Sequence, residues 1–415
     1  MLVTNVRYRW VALAMCWMAY AVAYAQRLSM GPLAPFMKTE LGLTNAQVGY
    51  FMTAALAGYA IFLIPGGWVV DKVGVRWTLC IGQVCAGICL LCVPLSATVA
   101  VGMVAMFMAG TGLGFLVPAT TKGVVEWFPV KERATAMGIK QTSVNAGGVI
   151  TASLMPMVAI VFGWRWGFAG LGFVAIISGI IAAILYKSPP LDKAVTLDAT
   201  SVGETGISAP PEKKETWLVV FKSREVYLLV IAATTLFITE LGVLTYFVLY
   251  LKSYLLIPVV TAGFMLASLD IGGFFGKPIT GIISDRVFGG KRKMTFIIMG
   301  GISVILAGVF AIMQTDTPRW LVVVCAVIFG FAAIGWSGLW HTMIGECAGK
   351  EHTAMVVGVG LAFVMGVTAF AVPIFGRLAD ITGSWTWSWI YLVVMGVIGT
   401  VSVCLVREEK RRLSC

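Results

Sequence analysis

The chain has 415 residues, of which 59% are hydrophobic and only 12% are charged. Soluble domains carry about 25% charged residues, and no single water-soluble core accommodates this much apolar surface. The net charge of +11 does not indicate a nucleic-acid-binding protein, because the basic residues lie in short gaps between apolar windows instead of forming a patch.

Apolar windows of roughly 20 residues, the length that crosses about 30 Å of hydrocarbon, recur along the whole chain. Backbone in lipid must be helical or form a closed barrel, and these windows lack the alternation of barrel strands. We therefore predict an all-α polytopic membrane protein with twelve transmembrane helices. They are predicted at 11–36, 48–70, 77–95, 101–127, 134–161, 166–186, 227–250, 260–283, 294–312, 320–344, 354–379 and 388–406.

One long hydrophilic segment, residues 187–222, divides the predicted helices six and six. Its richness in Pro, Gly, Ser and Thr predicts a flexible cytoplasmic linker rather than a folded domain. The predicted domains are thus an N-terminal six-helix bundle over 1–186 and a C-terminal one over 223–415.

Basic residues accumulate in every second connection, beginning with Lys72 and Arg76 and continuing through the linker to the C-terminal tail. The intervening connections are nearly bare and hold single residues such as Lys38 and Arg165. By the positive-inside rule, both termini are predicted to be cytoplasmic, in a multi-pass protein of the inner membrane.

The two halves repeat each other at matching places. GWVVDKVGVR follows the second helix and GIISDRVFGG follows the eighth, with Asp71 and Asp285 214 residues apart. ERATAMG, from Glu132, and EHTAMVVG, from Glu351, lie 219 residues apart. Two independent pairs at nearly one offset indicate a duplication, and hence two pseudo-symmetric bundles.

The repeated loop has the pattern G-x-x-x-D-[RK]-x-G, whose glycines permit a tight turn. Its carboxylate can meet a neighbouring helix N-terminus or a basic residue and so latch the cytoplasmic helix ends. The alternative is a basic loop that only sets membrane orientation. Lys122 is assigned to the same gate, and the predicted gating residues are Gly67, Asp71, Lys72, Gly74, Arg76, Glu126, Arg133, Asp285 and Arg286.

Both copies of this loop, together with GRLADITG at 376–383, resemble the signatures of the major facilitator superfamily, and the similarity covers essentially the whole chain. LGLTNAQVGY, IPGGWVVDKVG and KGVVEWFPVKERATAMG are similar to the anion:cation symporter branch, which includes hexuronate, aldonate and sialic acid transporters. The resemblance implies a substrate site near the membrane midplane, exposed to either side in turn by rocking of the halves.

The stretch AVAYAQRLSMGPLAPFM keeps a permanent charge at Arg27, although insertion of such a charge costs about 3 kcal/mol. Tyr24 and Tyr20 share its helical face. A guanidinium binds a carboxylate or phosphate bidentately, and the family places a basic residue here for the substrate anion. The alternative is an ion pair with Glu240 or Asp270.

Further polar residues are predicted to line the site. Gln141 and Asn145 lie one turn apart in the fifth helix and could read substrate hydroxyls. Lys140 could add positive charge there, or else its long stem could carry its ammonium to the cytoplasmic end. Lys277 in the eighth helix is the third candidate cation for substrate binding.

Asp270, near the centre of the eighth helix, is the first candidate for proton coupling, because a central carboxylate is costly to keep charged. Glu240 is the second, and either carboxylate could instead only neutralise Arg27 or Lys277. His341 is a possible proton relay, although a single His in a Trp-rich helix more often serves packing.

The chain departs from its branch in the N-terminal half. Many relatives carry Asp directly before the first-helix Arg, and some carry Glu in the fourth helix, whereas this chain has Gln26 and Leu113. The resemblance then implies that coupling lies at Asp270 or Glu240, or that the carrier is a uniporter or an anion exchanger.

The function predicted is secondary transport of a small organic anion, a carboxylate or sugar acid, by alternating access with proton symport. The predicted partners are that anion, protons and the lipid bilayer, without nucleic acid, and the working form is a monomer. The alternatives are an organophosphate:phosphate or organic anion antiporter, a drug exporter and a non-transporting transceptor.

No enzymatic activity, cofactor or metal site is predicted. The sequence holds no phosphate-cradling loop and no paired nucleophile and base, so no catalytic residue is assigned. The cysteines clustered in the third helix have no His or carboxylate beside them, and they are Cys80, Cys85, Cys89 and Cys92.

Overall fold

The structure, a computed structural model, describes residues 2–93, 98–188, 223–289 and 291–406. These residues form thirteen α-helices. The helices are α1 Leu2–Leu28, α2 Met30–Leu41, α3 Asn45–Val73, α4 Val75–Leu91, α5 Val99–Trp127, α6 Val130–Phe162, α7 Trp164–Leu185, α8 Arg224–Ser253, α9 Val259–Ile282, α10 Arg292–Ile312, α11 Arg319–Gly335, α12 Ser337–Thr382 and α13 Trp385–Leu405.

Within the described residues, eleven helical segments are long and apolar enough to cross a membrane. The first of them joins α1 and α2. The shorter apolar helix α4 has 17 residues and is about 26 Å long at 1.5 Å per residue. The predicted all-α, multi-pass fold class is confirmed. Apart from Lys187 and Ser188, the predicted linker lies outside the described residues, as does the basic C-terminal tail from Arg407.

The predicted tenth and eleventh spans, 320–344 and 354–379, agree with the spanning segments Arg319–Ile344 and Val356–Thr382, but the chain between them does not form the predicted connection. The sequence predicts a connection over 345–353, but α12 runs without a break for 46 residues, and the interruption falls at Trp336. The segment GECAGKEHT contains no proline, and its Glu, Ala and Lys residues favour a helix. A hydrophilic segment flanked by apolar windows therefore continues the helix instead of ending it.

Two helices end at glycines with a left-handed backbone. Gly42 follows α2 with φ 62°, and Gly383 follows α12 with φ 67°. Residues other than glycine rarely adopt this conformation, so both glycines are suited to end a helix. Each also donates its backbone N–H to a carbonyl of the last helical turn, that of Lys38 or Ala379.

The chain divides by its internal contacts into two compact units. Unit 1 comprises Met1–Arg27, Ala54–Gly148 and Arg165–Glu215. Unit 2 comprises Leu28–Thr53, Val149–Trp164 and Thr216–Cys415. The start of α3 and the end of α6 therefore belong to unit 2, which also contains the second half of the sequence.

Glycine contacts repeat between the halves. In unit 1, α3 and α5 approach so closely that a Cβ on Gly58 would meet the carbonyl of Phe107. In unit 2, α9 and α11 approach in the same way, with Gly272 against the carbonyl of Val327. Gly272 follows Gly58 by 214 residues, the offset that also separates the two loop aspartates. This structural equivalence supports the duplication inferred from the sequence.

We expect Gly110→Ala to destabilise unit 1 by about 1–3 kcal/mol, because overpacking a close contact forces backbone shifts. The added Cβ would meet the carbonyl oxygen of Ala55 on the neighbouring helix. Thermal unfolding of the detergent-solubilised protein measures the effect. Gly170→Ala in α7 is the matched control, because no atom lies within 4 Å of the position that its Cβ would take. A melting temperature lowered equally by both changes would contradict the packing explanation.

Candidate functional site

Arg27 lies at the end of α1, buried in unit 1 with 4% of its surface exposed. Its guanidinium carbon is 5.5 Å from the ring centroid of Tyr24. Tyr24 in turn packs edge to face on Tyr20, with ring centroids 4.9 Å apart, and the Tyr20 hydroxyl donates to the Tyr24 hydroxyl at 3.5 Å. The helical spacing thus brings together the three residues that the sequence grouped.

Lys140 projects from α6 into unit 1, where only 2% of it is exposed. Its ammonium lies 4.1 Å from the centroid of the Tyr20 ring and donates a hydrogen bond to the Thr121 hydroxyl at 3.3 Å. No carboxylate of the described residues lies within ion-pair distance of this ammonium. Lys140 is thus a buried cation held by neutral groups, rather than a surface lysine at the end of its helix.

The two tyrosines therefore join two cations of unit 1. Arg27 lies against Tyr24, and Lys140 lies over Tyr20, while the tyrosine rings touch each other. The negative faces of aromatic rings attract cations but do not neutralise them, so the Tyr20 ring leaves the positive charge of Lys140 in place. An anion is the partner that such a cluster favours.

Gln26 shows what replaces the carboxylate expected from relatives. Its side-chain amide donates to the Gln83 carbonyl oxygen at 3.3 Å, and the Gln83 amide donates to the backbone carbonyl of Ala19. Both glutamines are buried. The position beside Arg27 is thus occupied by an uncharged amide pair, and this adds no negative charge to the cluster.

Two further residues were absent from the sequence prediction: Thr121, which contacts Lys140 of the cluster, and Gln83, which pairs with Gln26 beside it. Gln83 is a polar residue within the apolar helix α4, and that contrast is the signal by which it could have been identified. Thr121 lies one residue before Lys122, in a stretch assigned to the gate. Of the remaining residues predicted in α6, Asn145 is buried in unit 1, whereas Gln141 is exposed.

A second group of ionisable residues lies in unit 2. Asp270 is 2% exposed, and the charges of Asp270 and Glu240 both act electrostatically on the ammonium of Lys277. His341 on α12 also interacts electrostatically with Lys277. Three helices therefore bring the predicted coupling carboxylates, the predicted cation and the histidine into one electrostatic group.

The hydrogen bond of His341 assigns its ring nitrogens. Nδ1 lies 2.7 Å from the carbonyl oxygen of Ser337, one turn earlier. Because a carbonyl only accepts, Nδ1 carries the hydrogen in this contact. In the neutral ring, Nε2 is then an acceptor that can take up a proton.

The predicted gating residues of unit 1 lie at one end of its helices. Asp71 accepts a charged hydrogen bond from Lys122 at 2.6 Å, and both side chains are partly or largely exposed. The first loop carboxylate thus meets a basic residue, one of the two partners that the sequence allowed. Gly74, with φ 83°, provides the tight turn between α3 and α4, and Gly67 lies one helical turn before Asp71.

The other gating residues have local partners or lie exposed. Arg76 donates to the carbonyl of Ala183, and Arg133 donates to that of Val125 at 3.3 Å. Lys72 lies over the Trp68 ring, with the ammonium 4.0 Å from its centroid. Three gating residues remain. Glu126 is half-buried. Asp285 and Arg286 are exposed and lie in the π-helical turn Ile283–Val287 of unit 2.

Curated relatives match nearly the full chain. It is 27% identical to a probable sulfoacetate transporter, SauU, of Cupriavidus necator, with 92% of this chain and 90% of the relative covered. It is also 27% identical to a D-galactonate transporter of Escherichia coli, with 98% and 97% covered. A membrane sensor protein, UhpC, of Salmonella typhimurium is 24% identical, with 94% and 89% covered.

The fold matches a solved transporter structure. A bacterial homologue of the human lysosomal transporter Spinster, in an inward-facing and unoccupied conformation, superposes with a TM-score of 0.76 at 17% identity. The match covers 96% of this chain and 97% of that one. Its low identity makes this a likeness of fold alone.

The family model described as the Major Facilitator Superfamily matches residues 16–371, which is most of the chain. The relatives agree with the anion:cation symporter branch that the sequence motifs resemble. The family consists of transporters and not of enzymes, in agreement with the prediction. The chain belongs to the Major Facilitator Superfamily.

Proposed function

We propose that this protein transports a small organic anion across the inner membrane as a secondary carrier. The observation that carries the proposal is the buried ammonium of Lys140, held by the Thr121 hydroxyl and the Tyr20 ring, in the same cluster as Arg27. A buried cation with neutral partners is costly. A substrate anion that binds there offsets this cost and gains charge-assisted hydrogen bonds.

The substrate class follows from the chemistry of the cluster. The fork of Arg27 suits a planar carboxylate or a sulfonate, and the tyrosine hydroxyls and the amides of Gln141 and Asn145 suit a hydroxylated body. The substrates for which two relatives are named, sulfoacetate and D-galactonate, are anions of this kind. We assign this chain small carboxylates and sugar acids, with sulfonates in the same panel.

The transport cycle that we propose is alternating access with proton symport. The predicted bundles, 1–186 and 223–415, would rock about the bound anion, with both termini cytoplasmic. Protonation of Asp270, or of Glu240, would discharge the polar group around Lys277 and permit reorientation. The electrostatic interaction of both carboxylates with Lys277 supports this assignment.

Counterflow in proteoliposomes tests the function directly. Purified protein is reconstituted with an unlabelled anion inside, and uptake of the same labelled anion is followed with and without a pH gradient. The panel holds galactonate, a hexuronate, sulfoacetate, inorganic phosphate and a hexose phosphate. Stimulated uptake of a carboxylate or sulfonate is the expected result, and uptake of none of these anions would contradict the proposal.

An organophosphate:phosphate antiporter is the second candidate, favoured by the presence of more than one buried cation. In that case Arg27, Lys140 and Lys277 would all be essential, and transport would depend weakly on the pH gradient. The relative named as a sensor favours a third possibility, a transceptor that binds the anion without moving it. Binding in scintillation proximity assays without counterflow would identify that case.

We expect Lys140→Gln to separate these candidates. For a carboxylate carrier, loss of the second cation should weaken binding by roughly 10- to 100-fold, because one charge-assisted hydrogen bond contributes about 1.5–3 kcal/mol. For a phosphate antiporter the same change should abolish exchange of dianions. Equilibrium binding and counterflow of galactonate and phosphate measure both effects. Lys291→Gln is the lysine control, because Lys291 is exposed and lies directly before α10.

A further inference from the structure

Two segments from the first half of the sequence pack in unit 2 with helices of the second half. They are Leu28–Thr53, which contains α2 and the start of α3, and Val149–Trp164, the end of α6. Under the proposed topology, both lie on the side of the membrane opposite to the termini, which we call the outer side. The motif GRLADITG at the end of α12 also reaches this side.

The carboxylate of Asp380, within that motif, caps the start of α3. Its Oδ1 accepts a hydrogen bond from the backbone N–H of Asn45 at 3.0 Å, and its Oδ2 accepts one from that of Ala46 at 2.8 Å. The first N–H groups of a helix have no partner within the helix, and the helix dipole favours a negative charge there. One side chain from the second half thus satisfies two donors of the first half.

Contacts around Asn45 reinforce this cap. The Tyr246 hydroxyl donates to the Asn45 carbonyl at 3.0 Å, and the Lys38 ammonium donates to the Asn45 side chain at 2.5 Å. Further along α3, the Thr53 hydroxyl donates to the carbonyl of Ala369 on α12. The start of α3 is therefore held at both its polar end and its membrane side by groups of unit 2.

Beneath these hydrogen bonds, backbones from the two halves touch at glycines. A Cβ added to any of three glycines would overlap a neighbouring helix, so their close approach requires the absence of a side chain. The contacting pairs are Gly31 with Leu244 on α8, Gly49 with Pro373 on α12, and Gly263 on α9 with Ala152 of α6.

A hydrogen bond ties the two first-half segments to each other. The indole N–H of Trp164 donates to the Glu40 carboxylate at 2.7 Å. Movement of the α2–α3 segment therefore pulls on the end of α6. Asp380 is exposed, and so is Thr44, the residue before the capped donors, so water can replace the cap when the segments separate.

We propose that these contacts form the outer gate of the carrier in its closed position, and that the hydrogen bonds of the Asp380 cap hold this gate closed. The inference rests on the alternating access proposed above. The gate opens when Leu28–Thr53 and Val149–Trp164 leave unit 2, the Asp380 cap exchanges its backbone donors for water, and the glycine contacts part. The GRLADITG motif thereby acts on the outer side, as the aspartate loops were predicted to act on the inner side.

Hydrogen–deuterium exchange of the full chain in nanodiscs tests whether the Asp380 cap holds the gate closed. We expect Asp380→Ala to speed exchange of the 44–53 amides by roughly 100-fold, because two charge-assisted hydrogen bonds are lost. Exchange in 149–164, which Asp380 does not touch, should rise with it, because the gate opens as a unit. Asp316→Ala is the matched control, since Asp316 is an exposed carboxylate in the turn between α10 and α11.

A glycine variant tests the same gate at a different contact. Gly263→Ala would place its Cβ against the Ala152 carbonyl and 2.7 Å from Pro156, and so we expect faster exchange in 44–53, on the other side of the gate. Gly301→Ala, with nothing within 4 Å, should leave exchange unchanged, and Gly110→Ala should affect unit 1 alone. If Asp380→Ala does not fold, the same exchange measurements on Asp380→Asn and Gly263→Ala test the gate.

If exchange rises only at residues 45 and 46, the Asp380 contact is a local helix cap, and the proposal that it belongs to a gate is wrong. Unchanged exchange in 44–53 for Gly263→Ala, or faster exchange throughout both units, would overturn it as well. None of these measurements requires a substrate. A failure of the proposed anion transport in counterflow is therefore distinguishable from a failure of the gate.

Discussion

Replacing Arg27 with alanine is expected to lower the affinity for the transported anion by roughly 30-fold or more and to abolish counterflow at low substrate concentration. Loss of one partner from a buried, hydrogen-bonded charge pair costs about 2–5 kcal/mol. Arg27 is buried and lies against Tyr24, so an exposed basic side chain cannot replace its guanidinium at this position. Binding isotherms and counterflow in proteoliposomes measure the two effects.

Matched variants separate charge from geometry at this position. Arg27→Lys keeps the charge but loses the planar fork, and we expect it to bind the anion more weakly than the native protein and more tightly than Arg27→Gln. Arg319→Gln, an exposed arginine at the start of α11, should leave affinity unchanged. Native affinity in Arg27→Gln would assign Arg27 to the ion-pair alternative.

Much of the fold was predictable because lipid limits the choices. Long apolar windows in a bilayer must become helices, and a repeated loop at a constant offset must come from duplicated helices. The glycines at 58 and 272 show how deep the repeat goes, since both lie at close backbone contacts of equivalent helix pairs. Arg27, Tyr24 and Tyr20 were grouped correctly because helical spacing alone determines a shared face.

The features that the sequence did not reveal depend on contacts between distant segments. The Gln26–Gln83 pair joins helices whose residues are 57 positions apart, and no local pattern specifies that pairing. Lys140 had two possible directions along its flexible stem, toward the helix end or toward the bundle, and packing decided between them. The continuity of α12 was missed because polar segments between apolar windows usually indicate turns, whereas this one lacks a proline and favours a helix.

The ionisable residues divide between the units in a way that bears on coupling. In the described part of unit 1, the two tyrosines lie between Arg27 and Lys140. The Gln26–Gln83 amide pair occupies the position where the family resemblance led us to expect a carboxylate. Unit 2 holds Asp270 and Glu240 near Lys277. This division favours separate tasks, with anion binding assigned to unit 1 and proton transfer to unit 2.

Asp270→Asn is therefore expected to abolish uphill, proton-driven uptake while counterflow continues. Asparagine preserves the shape of the side chain but cannot gain or lose a proton, so the carrier should equilibrate its substrate without responding to a pH gradient. Uptake at fixed substrate with an imposed gradient, compared with counterflow of the same preparation, measures the two activities separately. Asp316→Asn, on an exposed turn, is the control for loss of a carboxylate.

The double variant Asp270→Asn with Lys277→Gln distinguishes a proton carrier from a carboxylate that only neutralises Lys277. If Asp270 serves only as a counter-charge, removal of both charges relieves the unpaired cation, and gradient-driven uptake returns. If Asp270 carries the proton, the double variant still lacks a titratable group there, and uptake stays uncoupled. Restored coupling in the double variant, or unchanged coupling in Asp270→Asn alone, would move the proton-carrying assignment to Glu240, where Glu240→Gln would be expected to produce the uncoupled carrier.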